Sequence, residues 1–178
     1  MSVSKDDASL KSYYFFKTRI GWCGVVSSKK GVLRILIGLP SRERVIRKIR
    51  AEFGSGITKT HAKGNITNKI KCYFSGGKVS FKCALDWSFL SPFRQKVLKA
   101  AMKIPYGSVE SYGSLAKKAG CPKGARAVGG ALARNPFPLV VPCHRIVRGD
   151  GSLGGFSAGE GLELKKKLLK LEGWYTLQ

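Results

Sequence analysis

The sequence predicts an α+β fold: a small N-terminal unit of antiparallel sheet plus helix over residues 1–89, then a mostly helical unit with a helix-turn-helix over residues 90–178. Three observations predict it. Short segments rich in Tyr, Phe, Val and Ile cluster at the beginning of the chain, an amphipathic helical pattern follows Pro40, and three helical patterns separated by Gly- and Pro-containing breaks follow Ser91.

The first elements are Lys11 to Thr18, Gly21 to Val26 and Gly31 to Ile37, read as strands, with Ser27-Ser28-Lys29-Lys30-Gly31 as the hairpin turn between the last two. Ser41 is placed to cap a helix whose apolar positions Val45, Ile46, Ile49 and Phe53 share one face. Its arginines read as a solvated face. Gly54 to Asn68 is polar and glycine-rich, and a second short helical pattern and a Gly76-Gly77 turn lead to Val79 to Leu85, closing the first unit near Phe89.

Ser91-Pro92 opens the second unit with a capping hydroxyl and a proline in the first helical turn, and Phe93, Val97, Leu98, Ala101 and Met102 form its apolar stripe. Ile104-Pro105-Tyr106-Gly107 ends that helix. Ser111 caps the next, Tyr112 to Ala119, which Gly120 stops; a third runs from about Gly124 to Arg134, where Asn135-Pro136 ends it. The last two helices, joined by a tight turn, are the helix-turn-helix candidate.

At 178 residues the chain has room for one medium domain or two small ones. Lys and Arg total 33 against 10 acidic residues, a net charge of +23. That excess points to a polyanionic partner. Nucleic acid fits best, because counterion release rewards many phosphate contacts; an anionic membrane surface or a merely solvated basic face are the alternatives. No run of about 18 apolar residues is present, so no membrane span is expected. Met1 to Lys11 is polar, carries Asp6 and Asp7 and lacks the order of a secretory signal, so a cytoplasmic or nuclear address is expected. The five cysteines are irregularly spaced with only two histidines in the chain, which signals neither a disulfide framework nor a zinc finger. A Cys72–Cys83 bridge is the one pairing to consider.

The third helix of the second unit reads Gly-Ala-Arg-Ala-Val-Gly-Gly-Ala-Leu-Ala-Arg. Gly129 and Gly130 each cost roughly 1 kcal/mol relative to alanine in a helix interior. Either tight packing on a neighbouring helix or close approach of the helix backbone to a DNA strand offsets that cost. Sequence-specific readout needs long polar side chains in the major groove, and this helix offers mainly Arg126. A slim helix suits a narrow groove and sequence-independent contact.

Pro138-Leu139-Val140-Val141-Pro142-Cys143-His144-Arg145-Ile146-Val147 places a thiol and an imidazole just beyond an apolar segment stiffened by prolines. A thiol attacks as thiolate, and a nearby histidine together with positive charge such as Arg145 can lower its pKa. A Cys-His dipeptide by itself is more often structural.

These strings resemble the O6-alkylguanine-DNA alkyltransferases, the methylated-DNA–protein-cysteine methyltransferases. The resemblance covers about Phe93 to Gly173, through Gly107 to Leu115, Ala125-Arg126-Ala127-Val128-Gly129-Gly130-Ala131, Asn135-Pro136, Pro142-Cys143-His144-Arg145 and the glycine-rich stretch to Ser157. The first unit is compatible with the family's smaller, ribonuclease-H-like sheet domain. The resemblance implies direct-reversal DNA repair: one irreversible transfer of a methyl or larger alkyl group from O6 of guanine, and O4 of thymine, to Cys143 after base flipping. It implies that His144 takes the thiol proton through a water and that Glu172 orients His144. Tyr112 would donate to the leaving base, Ser157 would hold O6, and the carbonyls of Cys143 and Ile146 would accept from the exocyclic amine. Asn135 would brace the turn, Phe156 would stack on the base, and Arg126 would fill the gap left by the flipped nucleotide. Arg126, Ala127, Gly129, Gly130 and Arg134 would face DNA. On the residues alone, the favoured readings are Tyr112 as a core aromatic, Asn135 as a helix cap and Arg126 as a phosphate contact.

Two departures from the family pattern matter. Phe156 stands where many relatives have tyrosine, and the stretch from Ser157 to Glu172 is slightly longer than expected, which keeps Glu163 and Glu160 as alternatives to Glu172. Some relatives hold zinc, but only Cys23 falls near the expected ligands, so no metal and no cofactor are expected. The partner expected is duplex DNA containing O6-alkylguanine, bound by a monomer. Cys143 argues against the alkyltransferase-like sensors, which resemble this family but carry tryptophan there; a cysteine hydrolase leaves the charge and the slim helix unexplained.

Overall fold

The computed structural model describes residues 11–61 and 65–174. Strands β1 (Ser12–Thr18), β2 (Gly21–Ser28) and β3 (Gly31–Leu39) form an antiparallel meander, with Tyr14 opposite Val25 and Val25 opposite Ile35. A short β4 (Thr58–Lys59) adds to β1 in parallel, giving the order β3-β2-β1-β4. The period-2 alternation of a strand divides these residues between two cores. Tyr13, Val26, Leu33 and Leu39 face Val45 and Ile49 of α1 (Arg42–Phe53), while Tyr14, Phe16, Val25, Ile35 and Ile37 face the rest of the protein.

Helix α1 begins where the hydroxyl of Ser41 accepts from the Arg44 amide at 3.2 Å. Ile46 and Phe53, read as part of its buried face, are only partly covered. Helix α2 (Asn65–Phe74) starts inside the stretch whose polarity suggested a loop. Its polar residues hid the helical period, because Thr67 is itself buried and donates to the Tyr14 hydroxyl at 3.3 Å. Val79 to Leu85 is largely irregular and meets the edge of β3 at one bridge, Val32 to Leu85.

Helix α3 (Pro92–Ala101) is capped by Ser91 and buries Val97, Leu98 and Ala101. The two ends of its expected stripe, Phe93 and Met102, remain 37% and 39% exposed. Helices α4 (Tyr112–Lys118, capped by Ser111) and α5 (Ala125–Ala133) pack on each other and on α3. Strand β5 (Glu110–Ser111) pairs in parallel with β6 (Ile146–Val147), and α6 (Leu162–Leu171) lies against the turn that holds Cys143. Neither short strand has a sequence period to reveal it.

A single buried cluster runs from Tyr14, Val25 and Ile37 through Val97 and Leu115 to Leu168. The sheet therefore packs directly on the later helices. The Ile35 amide donates to the Pro136 carbonyl at 2.8 Å, and Gly159 sits so close to β3 that a Cβ there would lie 3.0 Å from the Ile37 carbonyl oxygen. Among the described residues no helix is long and apolar enough to cross a membrane.

Candidate active site

The segment between α5 and β6 is shaped by Asn135. Its carbonyl oxygen accepts from the Phe137 amide at 2.9 Å, and its Nδ2 donates to the Val141 carbonyl at 2.9 Å and to Cys143 Sγ at 3.1 Å. Within this clamp Leu139 has φ 73°, the only left-handed residue other than glycine among those described. Such a conformation costs on the order of 1–3 kcal/mol and persists where its surroundings dictate it. Phe137, Leu139, Val140 and Val141 are all buried. The chain then makes one 3-10 turn, Cys143–Arg145, in which the Arg145 amide donates to the Pro142 carbonyl at 2.9 Å.

That turn brings Cys143 to a cavity and both His144 and Arg145 to Glu172. Cys143 is 8% exposed and opens on a cavity of about 320 Å³. Its walls come from Tyr112 of α4, from Gly129, Leu132 and Ala133 at α5, and from the loop Gly155-Phe156-Ser157. Gly154, with φ 64°, allows this loop to lie against the tyrosine: a Cβ there would meet the Tyr112 hydroxyl at 3.0 Å. The Tyr112 hydroxyl is 3.5 Å from the Gly155 carbonyl, and the Ser157 hydroxyl donates to the Ala133 carbonyl at 2.6 Å. Burial pushes the Cys143 thiol up from its ordinary pKa, while the Asn135 amide and the Lys165 ammonium oppose that rise.

His144 is buried in the interior, 1% exposed. Its Nε2 lies 2.9 Å from Glu172 Oε1, and its Nδ1 is buried without a hydrogen-bond partner among the described residues. Burial lowers the imidazole pKa against the pull of Glu172. The neutral ring therefore carries its proton on Nε2, facing the carboxylate, and keeps a lone pair on Nδ1.

Glu172, just past α6, is the hub. Oε1 accepts from Tyr73 at 2.6 Å, from His144 at 2.9 Å and from Arg145 Nη2 at 2.9 Å. Oε2 accepts from Arg145 Nε at 2.8 Å and from the Gly107 amide at 3.1 Å. Burial by itself would raise this carboxyl, but the donors from His144 and Arg145 hold it well below the usual range. The alternatives lie elsewhere: Glu163 and Glu160 form exposed ion pairs with Lys166 and Lys167.

Several expectations need correction. Arg145 does not serve the thiol; its guanidinium is committed to Glu172 and the Ile104 carbonyl, and the cation that acts on Cys143 is Lys165. The carbonyls of Cys143 and Ile146 each accept one internal bond, from the Ile146 amide and from the Lys165 ammonium, which leaves each a second lone pair, and the fully buried Ile146 is not among the residues that line the cavity. Tight helix packing does not explain Gly129 and Gly130, since a Cβ would meet Tyr112 at 3.7 Å and Arg134 at 3.6 Å, ordinary contact distances. Arg126, Ala127 and Arg134 are exposed on α5 and its C-terminal cap. All five cysteines, including Cys72 and Cys83, are free thiols.

Two residues of the constellation were not anticipated. Lys165 is completely buried, donates to the Ile146 and Leu153 carbonyls, and is lowered by burial to about 8. A signal existed: it shares the apolar phase of Leu168 and Leu169. Tyr73 carried none, because a tyrosine next to Phe74 reads as core. Among the described residues no three His, Cys, Asp or Glu side chains are grouped to hold a metal.

The family described as 6-O-methylguanine DNA methyltransferase, DNA binding domain, matches residues 92–174. The chain is 40% identical over 109 residues to a methylated-DNA–protein-cysteine methyltransferase of Methanothermobacter thermautotrophicus, and 42% identical over 107 residues to one of Methanosarcina acetivorans. These stretches are 61% and 60% of this chain and span 60% and 67% of those relatives. Among solved structures it is similar to Mycobacterium tuberculosis OGT in complex with DNA, with TM-score 0.75 and 31% identity over 91% of this chain and 93% of that one. It is also similar to the O6-methylguanine-DNA methyltransferase of Pyrococcus kodakaraensis, with TM-score 0.69 and 32% identity over 92% and 99% of the two chains. With the Cys143–His144–Glu172 constellation built on that same fold, the chain belongs to the methylated-DNA–protein-cysteine methyltransferase family.

Proposed function

We propose that this protein reverses DNA alkylation by moving a methyl or larger alkyl group from O6 of guanine, and from O4 of thymine, onto Cys143, once per molecule. The observation that carries this reading is a thiol at the wall of a cavity, beside a neutral histidine whose Nδ1 has no partner among the described residues and whose Nε2 is held by a buried carboxylate.

In the step we propose, the Cys143 proton passes to His144 Nδ1 through a water, and Sγ attacks the alkyl carbon. The S–C bond forms as the C–O6 bond breaks, and the electron pair leaves with guanine. The Tyr112 hydroxyl, in the cavity wall, donates a hydrogen bond to the departing base, and the guanine anion is neutralised by the one proton that left the thiol, returned from His144 through water. Ser157 lines the cavity, where its backbone, or its hydroxyl once turned from the Ala133 carbonyl, would hold O6, and Phe156 offers a stacking face. A thioether is a poor leaving group in water, so the alkylated protein is the end product.

A base cannot enter this cavity while stacked in a duplex, so the target nucleotide is flipped out. Exposed Arg126, Ala127 and Arg134, with Gly129 and Gly130 leaving the α5 backbone uncovered, form the surface that meets the DNA, and a net charge of +23 favours it without sequence preference. We read residues 90–178 as the DNA-binding and alkyl-acceptor unit, residues 1–89 as its support, and the working form as a monomer on duplex DNA.

The test is mass spectrometry after mixing equimolar protein with a duplex carrying one O6-methylguanine, with Cys143→Ser as control. One methyl on the Cys143 peptide, absent from the control, is the expected result. Tight lesion binding with no methyl gained would overturn the reaction and leave a binding protein.

A further inference from the structure

Tyr73 brings a hydroxyl to the Cys143–His144–Glu172 constellation from the other end of the chain. It sits in the last turn of α2 with no exposed surface, donates to Glu172 Oε1 at 2.6 Å, and its oxygen lies 3.3 Å from His144 Nε2. Its ring stands edge-on to Phe74 at 5.5 Å and to Tyr106 at 6.2 Å, so its direction is fixed by packing. The hydroxyl hydrogen goes to the carboxylate. The oxygen therefore offers a lone pair to the proton on Nε2, which lies between two acceptors.

We propose that Tyr73 is a positioning residue for alkyl transfer: its hydroxyl, delivered by α2, holds Glu172 and the Nε2 proton of His144 in register, so that Nδ1 keeps its lone pair for the Cys143 proton. The proposal rests on the reading of Cys143 as acceptor, and it gives the N-terminal elements a part in the chemistry. Without the phenol, Oε1 retains only His144 and Arg145 as donors, and more of its negative charge faces the imidazole. The other titratable and charged groups facing this pair are Arg145 itself, Tyr106 against the Arg145 and Lys78 cations, and Lys165 on α6. None of them replaces the lost donor. A less neutralised carboxylate favours imidazolium, which cannot accept the thiol proton, so the acid limb of the transfer rate moves to higher pH. A hydrogen bond to a charged group corresponds to a shift of roughly one pH unit, or about tenfold in rate on the acid side.

The experiment is single-turnover methyl transfer from an O6-methylguanine duplex between about pH 5 and about pH 9, comparing wild type, Tyr73→Phe and Tyr106→Phe. The Tyr106 hydroxyl donates to the Leu171 carbonyl at 3.0 Å and does not touch Glu172. Tyr73→Phe is expected to move the acid limb upward with its alkaline plateau within roughly twofold, and Tyr106→Phe to keep the wild-type limb. An unmoved limb in Tyr73→Phe, or equal slowing at every pH in both variants, overturns the proposal. As a second measurement, nitrogen NMR of wild-type His144 should show the Nε2–H tautomer at neutral pH; the Nδ1–H tautomer overturns it, whether or not Tyr73→Phe folds. A wild type that takes up no methyl overturns the proposed function alone, and the tautomer measurement still decides the role of Tyr73.

Discussion

Replacing Glu172 with glutamine is expected to lower stability far more than a near-isosteric change would elsewhere. Five donors converge on two carboxylate oxygens, and two of them belong to Arg145, which is 7% exposed. Glutamine keeps one acceptor oxygen and turns the other position into a donor, which then faces either Arg145 Nε and the Gly107 amide or the Tyr73, His144 and Arg145 Nη2 trio. The guanidinium is left buried without its counter-charge. Breaking a buried pair by removing one partner costs about 3–5 kcal/mol, a large share of the roughly 5–15 kcal/mol that keeps a domain folded. At about 2–4 °C per kcal/mol for a chain of this size, Tm should fall by roughly 6–20 °C. The pH dependence has a definite sign. The folded carboxyl is held below its ordinary value of 4.5, so its contribution is fully present above that value and is lost as pH falls through and below it. The difference between wild type and Glu172→Gln should therefore be flat from about pH 5 to about pH 8 and shrink in acid. Urea unfolding across pH reads both quantities. A variant within about 1 kcal/mol of wild type at neutral pH would refute the reasoning.

Gly129→Ala is expected to raise stability by about 0.5–1 kcal/mol, because the added methyl meets the Tyr112 ring at 3.7 Å without clash and removes the backbone-entropy penalty of glycine. The same variant should bind lesion-bearing duplex more weakly, since the methyl projects into the cavity wall; lower urea stability would show instead that the glycine serves internal packing. In the resting protein, iodoacetamide should label exposed Cys72 well before Cys143, which is buried and whose thiol burial pushes up. Peptide mass spectrometry over a time course reads the order, and early labelling of Cys143 would mean that its thiolate is already formed at rest.

What the sequence revealed follows from the reach of each signal. Helices α1, α3 and α4 were legible because a capping serine and a 3.6-residue apolar period are local, and the β2–β3 hairpin because its turn residues are. Helix α2 was read as a short helical pattern but its first turn was obscured by polar residues, one of them the buried Thr67, and β4, β5 and β6 were missed because they have two residues each. In the site, Cys143, His144 and Asn135 lie within nine residues and announced themselves as a string. The Glu172 assignment came from family resemblance, and Tyr73 did not come at all, because its partners stand 71 and 99 residues away and only the tertiary fold supplies the connection. Arg145 was placed beside the thiol by adjacency, yet its guanidinium turns with His144 to the carboxylate of Glu172, a partner 27 residues away.

Burial acts on both members of the Cys143–His144 pair in the sense that opposes charge: it raises the thiol and lowers the imidazole. At rest the proton therefore stays on sulfur. Each charged form nevertheless has its counter-group already in place, the Asn135 amide and the Lys165 ammonium for thiolate, Glu172 for imidazolium. Moving one proton from Sγ to Nδ1 thus creates two charges that oriented groups already face, and little reorganisation is needed at the moment of transfer. Lys165 is itself held by the Ile146 and Leu153 carbonyls, and Glu172 by Arg145, Tyr73 and the Gly107 amide, so neither counter-group can turn away. A site arranged in this way keeps the thiol quiet at rest, and if the protein reacts once, as proposed above, a thiol consumed by any other electrophile is a molecule lost to the reaction.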